Sequence, residues 1–159
     1  MNQREHILNA ALLAVGVGYV LEPSGDLITF QRIAAISIPI VLGALFPDVD
    51  AHYGRHRKAL HNLLVLAFFA AFPLYFGNLE WVWLGVLTHY VLDVAGSRRG
   101  IALFYPVWKR EFGLPLGVPV ASSHTGIVTV VITGIEVGFA AGSALYVPTA
   151  LDAARAMLV

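Results

Sequence analysis

Five stretches of the chain are apolar for long enough to approach the roughly 20 residues that a membrane-spanning helix needs: Ile7 to Leu21, Ile33 to Phe46, Leu60 to Phe76, Leu79 to Ala95, and a long run from about Val118 to Val147. The first two are short by this rule, so flanking residues such as His6 and Arg32 are expected at the interface as helix ends. Turn-forming segments separate the stretches: Glu22-Pro23-Ser24-Gly25-Asp26, Pro47 to Lys58, Gly77-Asn78, and Gly96 to Leu116 with Pro106 and Pro115. Trp81 and Trp83 open the fourth stretch and Trp108 sits in the last long loop, as expected of rings that favour the interface. The first stretch follows Arg4 and imitates a signal peptide, but Tyr19 to Pro23 offers no small-residue cleavage pattern, so it reads as a retained helix. The pattern predicts an all-α integral membrane protein, a bundle of about five transmembrane helices forming a single domain over residues 1–159.

Composition agrees, since 58% of the residues are hydrophobic and 13% charged, with a mean hydropathy of +0.74. Soluble domains usually carry about 25% charged residues, which argues against a soluble globule. Lys plus Arg balance Asp plus Glu at 10 each, so no net charge speaks for a nucleic-acid partner, and membrane lipid is the expected one. The absence of cysteine excludes disulfides, thiolate zinc sites and cysteine nucleophiles, and any metal must be held by nitrogen and oxygen ligands.

The placement of the basic residues suggests an orientation. With a cytoplasmic N-terminus and five spans, Arg4, Arg55, Arg57, Lys58, Arg98, Arg99, Lys109 and Arg110 fall inside and only Arg32 and Arg155 outside. This bias predicts a multi-pass protein of the cell membrane with its N-terminus in the cytoplasm.

The same topology brings the metal-ligand types to the cytoplasmic face. His6 opens the first helix, Asp48 and Asp50 follow Pro47 at the exit of the second, and His52 and His56 share the next loop. His61 starts the third helix, and Asp93 ends the fourth with His89 one turn deeper. Residues four apart share a helix face, so His89 and Asp93 can address one point. His56 and His61, five apart, cannot share a face of one helix, which puts one of them, His56 by preference, on the loop before it. Each piece has a plainer reading: an interfacial or capping histidine, a solvated turn at Asp48 and Asp50, an interhelical hydrogen bond for His89 and Asp93. Their convergence on one face favours a site for one or two divalent ions, zinc foremost. Arg57 is either a topology signal or a phosphate-binding fork, and the other basic residues read as topology and lipid contacts. His124 is expected as a hydrogen-bonded core residue, and Glu136, about 18 Å further along its helix, as too deep for the metal site.

The segments Leu45-Phe46-Pro47-Asp48-Val49-Asp50, His56-Arg57 with His61 following, His89-Tyr90-Val91-Leu92-Asp93, and Gly100 to Pro106 resemble, in order and spacing, the YdjM-type membrane-bound metal-dependent hydrolases. The resemblance runs from His6 to about Pro106. It implies a metal site built from His6, Asp48, Asp50, His56, His61, His89 and Asp93. The chain departs from the family pattern at Leu60 and Asn62, where hydroxyl residues are usual, and Asn62 is the expected substitute in supporting His61.

The resulting expectation is a membrane-embedded metal-dependent hydrolase that cleaves a phosphoester of a lipid or lipid-linked substrate at the cytoplasmic face. Asp48 and Asp50 serve as ligand or general base and Arg57 addresses the phosphate. The alternatives are a divalent-metal transporter, whose site belongs nearer the bilayer midplane, and a scaffold whose metal staples helices together without catalysis.

Overall fold

The computed structural model of the protein describes residues 1–53, 57–77, 79–115 and 117–156, with side chains up to 148 apart from those of 52 and 53. Helix α1, Gln3–Leu21, begins where the Asn2 side chain accepts hydrogen bonds from the Arg4 and Glu5 amides. Helix α2, Leu27–Leu45, begins in the same way at Asp26. These side chains satisfy amides that the first helical turn leaves without a partner. Pro47 has no N–H with which to extend the ladder of α2, and the chain tightens into a 3-10 turn, Pro47–Tyr53. Helix α3, Leu63–Phe76, starts at the capping residue Asn62 and stops at Gly77, whose φ of 63° is open to glycine and strained for other residues. Helix α4 spans Val82–Gly96 and α5 spans Thr125–Ala156. The loop between α4 and α5 is folded back on itself by isolated bridges pairing Ser97 with Val118 and Ile101 with Phe112, and no strand occurs among the described residues.

The all-helical expectation holds, but the count of five spanning helices is corrected. Helices α3 and α4 have 14 and 15 residues. At about 1.5 Å per residue they extend roughly 21 to 22 Å, short of a hydrocarbon core of about 30 Å. Helix α1 is longer, but Arg4, Glu5 and His6 occupy its first two turns. Among the described residues two helical segments combine sufficient length and apolarity, Leu27–Ala51 with 25 residues and Thr125–Pro148 with 24. The helix starts also move: the first and second begin earlier, at Gln3 and Leu27, where Asn2 and Asp26 cap them, so that Arg32 lies inside α2 rather than at its end, and the fourth begins later, at Val82. The third begins at Leu63 rather than Leu60 because Asn62 caps it, and the fifth at Thr125 rather than about Val118 because Pro119 and Ser122 form a turn there.

Helix α1 packs against α2 and α5, α2 against α4, and α3 against α4. Ala10, Leu13, Ala14 and Val17 of α1 meet Ile36, Ile40 and Ala44 of α2 in the main apolar core. The closest crossing is between α2 and α4. A Cβ on Gly85 would stand 2.0 Å from the Ile40 carbonyl oxygen, and one on Gly43 2.1 Å from that of Val82. Glycine at both positions thus allows backbone to touch backbone. Helix α3 buries no residue of its own, and it exposes Leu74 and Tyr75 as α5 exposes Phe139 and Tyr146. Outward apolar surface of this kind suits a lipid solvent. This packing brings the starts of α1 and α3 together with the ends of α2 and α4, which assembles the polar cluster at one end of the bundle.

Candidate metal centre

His6 lies in the second turn of α1, Asp48 and Asp50 in the 3-10 turn after α2, His61 immediately before the cap of α3, and His89 and Asp93 on one face of α4. His61 therefore precedes its helix rather than starting it. The fold brings the Nε2 atoms of His61 and His89 to within 3.1 Å of each other. Asp93 Oδ2 lies 3.8 Å from the first and 3.7 Å from the second. Asp48 Oδ1 lies 4.0 Å and 3.8 Å from the same two nitrogens. His61, His89 and Asp93 are fully buried, and Asp48 is the donor that retains some exposure, 20% of its side chain.

The far side of each imidazole determines which nitrogen carries the hydrogen. His89 Nδ1 stands 2.6 Å from the Ala44 carbonyl oxygen. A carbonyl can only accept, so Nδ1 holds the hydrogen and, in the neutral ring, Nε2 presents a lone pair. His61 Nδ1 stands 3.2 Å from Asp50 Oδ2, which imposes the same tautomer when that carboxyl is ionised. Two neutral rings would thus point lone pairs at each other, flanked by carboxylate oxygens, in a site that only a cation or an added proton can make favourable. Two donors about 2.1 Å from a shared tetrahedral ion would be roughly 3.4 Å apart, and the distances of 3.1 to 4.0 Å bracket that value. Two groups of three, His6, His89 and Asp93, all buried, and the partly exposed Asp48 with the buried His61 and His89, could each hold a metal ion.

The remaining residues singled out in the sequence take different places. Asp50 lies behind His61, accepting from its Nδ1 side and, at 3.2 Å, from the Leu60 amide, and so orients the ring. The His6 ring stacks on His89 with centroids 3.6 Å apart, and its Nε2 is 3.6 Å from Asp93 Oδ1. Both His6 nitrogens are buried without a hydrogen-bond partner among the described residues, a costly state unless something further is bound there. His56 lies outside the described residues, and of His52 the structure describes the backbone in the 3-10 turn.

Arg57 is buried with a φ of 69°. Its Nη1 donates to the Ser97 hydroxyl at 3.3 Å, to the Gly100 carbonyl at 3.4 Å and to the Arg99 carbonyl. Its Nη2 is 3.9 Å from Asp93 Oδ1, which also receives the Met1 amine. The guanidinium thus holds the loop after α4 over Asp93. Asn62 supports His61 through the backbone: its side chain accepts from Leu64 and Val65 and donates to the Lys58 and Ala59 carbonyls. His124 is exposed, 3.4 Å from the Ser122 hydroxyl, and belongs neither to the core nor to the cluster.

Three participants were not singled out from the sequence. The Ala44 carbonyl is backbone and leaves no side-chain signal. Tyr90 donates its hydroxyl to the Leu60 carbonyl and accepts from the Asn62 amide at 3.2 Å, fixing the segment that carries His61. Ser97 ties Arg57 to the Asp93 carbonyl. Only the position of Tyr90 beside His89 hinted at its part.

No curated protein and no solved structure matches the chain. The family profile described as YdjM inner membrane protein matches residues 1–156, which extends the likeness well past the segment that carries the motifs. By that match over nearly its whole length, the chain belongs to the YdjM inner membrane protein family.

Proposed function

We propose that this protein is a membrane-embedded metal-dependent hydrolase that cleaves a phosphoester of a lipid or lipid-linked substrate at the cytoplasmic face of the membrane. The observation that carries the proposal is the facing pair of His61 and His89 Nε2 atoms, 3.1 Å apart, each ring held from behind by an acceptor and both flanked by Asp48 and Asp93. His61, His89 and Asp93 are the residues that would hold the ion in the enzyme, with Asp48 beside them as general base, and zinc is the best match to two imidazoles and a carboxylate oxygen. Such an ion supplies Lewis acidity toward a phosphoryl oxygen and makes a water acidic enough to attack near neutral pH.

The chain's own groups then divide the work. Asp48, the partly exposed donor, is the group placed to meet a substrate and to accept a proton from an attacking water. Asp50 and the Ala44 carbonyl keep the two imidazoles aimed inward. Arg57 holds the Ser97–Gly100 loop and offsets the charge of Asp93. The inner-membrane family and the two helices able to cross a bilayer support a lipid substrate.

The number of converging donors favours one rival. Four protein ligands complete a tetrahedral shell, as in a structural zinc site, and the protein would then be a scaffold. The test is hydrolysis of p-nitrophenyl phosphate and of phosphatidate by the purified protein in detergent or bilayer discs. Activity that chelation abolishes, that zinc restores and that Asp48→Asn reduces by 100-fold or more supports the enzyme. A tightly bound metal with no turnover of either phosphoester would overturn that reading in favour of the scaffold.

A further inference from the structure

A second polar group lies deep in the bundle, away from the metal cluster. Glu136 is on α5, within the segment Thr125–Pro148 that is long and apolar enough to cross a membrane. Ionisable residues in such segments are expensive and tend to be functional. Both of its carboxylate oxygens lie 2.8 Å from the Thr88 hydroxyl, which has a single hydrogen to give, and Thr88 itself accepts from the Asn9 amide at 2.7 Å. The Asn9 side-chain amide also hydrogen-bonds to Glu136, and an ionised carboxyl, with about four acceptor sites, still keeps about two of them open. No Lys, Arg or His among the described residues lies within salt-bridge distance of it.

Glu136 also lines a cavity of about 520 Å³ between α1, α4 and α5. Apart from Glu136, Thr88 and Ser143, the walls are aliphatic or aromatic, with Leu13, Leu84 and Phe139 among them. The volume lies in the range of small-molecule sites, roughly 300 to 1,000 Å³, and an apolar wall with one convergent polar group is their usual chemistry. None of the metal-cluster residues borders it. Thr88 faces the cavity, whereas His89, one residue on and about 100° further round the helix, faces the cluster.

We infer that the cavity between α1, α4 and α5 binds a single-chain amphiphile with a cationic ammonium head, the head at Glu136 and the hydrocarbon chain along the apolar walls. Charge complementarity selects this occupant. A carboxylate without a cationic partner in an apolar setting carries a large desolvation cost, and an ammonium group brings both the opposite charge and up to three hydrogen-bond donors to its open acceptor sites. A neutral alcohol of the same length would fill the walls equally well but would bring no opposite charge to the carboxyl. The inference is independent of what the metal cluster does.

The test uses the full chain in zwitterionic bilayer discs, with Trp108→Phe as background so that Trp81 and Trp83, which line the cavity, report binding by fluorescence. Dodecylamine, protonated at pH 7, is the probe and dodecanol its neutral counterpart. Saturable binding of dodecylamine, weakened about 10- to 100-fold in Glu136→Gln with metal content unchanged, is the expected result. Ser143→Phe, which keeps the carboxylate and fills the cavity, should weaken it as well and serves if Glu136→Gln does not fold. Equal dodecylamine affinity in the wild type and in the variants, or dodecanol binding as tightly as the amine, would overturn the inference.

Discussion

The contact between α2 and α4 couples the packing of the bundle to the orientation of His89, and Gly85→Ala separates the two effects from ordinary destabilisation. A Cβ at position 85 would stand 2.0 Å from the Ile40 carbonyl oxygen, 2.7 Å from the Ala44 amide nitrogen and 2.9 Å from Gly43 Cα, all of them backbone that cannot rotate away. Ordinary contact begins near 3.4 Å, so the helices must part by about 1.4 Å. The Ala44 carbonyl that receives the His89 Nδ1 hydrogen lies on the displaced segment, at 2.6 Å. A shift of that size along the bond would carry it to about 4 Å, outside hydrogen-bond range. Overpacking of a tight crossing costs about 1–3 kcal/mol, and losing the group that orients a metal-binding histidine costs about 10- to 100-fold in affinity. Zinc titration of the metal-stripped variant against a chromophoric chelator reads the second effect, and thermal unfolding the first. Gly134→Ala is the control, since nothing lies within 4 Å of its Cβ position, and it should stabilise slightly, by about 0.4–1 kcal/mol. Unchanged zinc affinity in a folded but destabilised Gly85→Ala protein would refute the link between this crossing and the site.

Three further outcomes follow from the same geometry. His89→Ala or Asp93→Ala should lower metal affinity by more than 100-fold, beyond what loss of an orienting group causes, while His124→Ala should leave metal content unchanged; elemental analysis of the three variants checks this. Asn62→Ala removes the cap of α3 and should lower thermal stability by about 0.5–2 kcal/mol, with a secondary loss of zinc affinity because His61 precedes it. The bidentate grip of Arg99 on Glu111, at 2.9 and 3.0 Å, holds that carboxyl below the usual range. A carboxyl lowered in the folded state adds stability that is present above its unfolded value and fades as pH falls through the folded one. The wild type should therefore melt slightly higher than Glu111→Gln near pH 7 and equally in acid, the difference staying under about 1 kcal/mol because the pair is exposed to solvent.

The helical class was legible because the apolar stretches are long and separated by proline, glycine and capping residues, and each of the five α-helices falls on one of them. Their lengths were less legible. Apolar character continues through Leu60 and the residues after Val118, whereas helix starts depend on hydrogen bonds made by Asn62, Pro119 and Ser122. Counting apolar residues therefore overstated the spans. For the site, the residue types that bind metals stand out in a chain with few charges, and the fold gathers His6, Asp48, His61, His89 and Asp93. What separates Asp48 from Asp50 is the direction each side chain takes from a 3-10 turn, one toward the two Nε2 atoms and one behind His61, and a spacing of two residues does not encode that. Arg57 was equally unreadable, because the acceptors it satisfies are mostly backbone carbonyls about forty residues away.

The facing imidazoles of His61 and His89, with Asp93 and Asp48 beside them, are proposed to hold a divalent ion. Elemental analysis of gently purified protein, with His61→Ala and His89→Ala prepared in parallel, tests it most directly. A bound divalent metal, zinc foremost, is expected in the wild type and none above background in either variant. A wild-type protein that is folded and free of metal after purification and zinc reloading, or variants that retain the wild-type content, would contradict it.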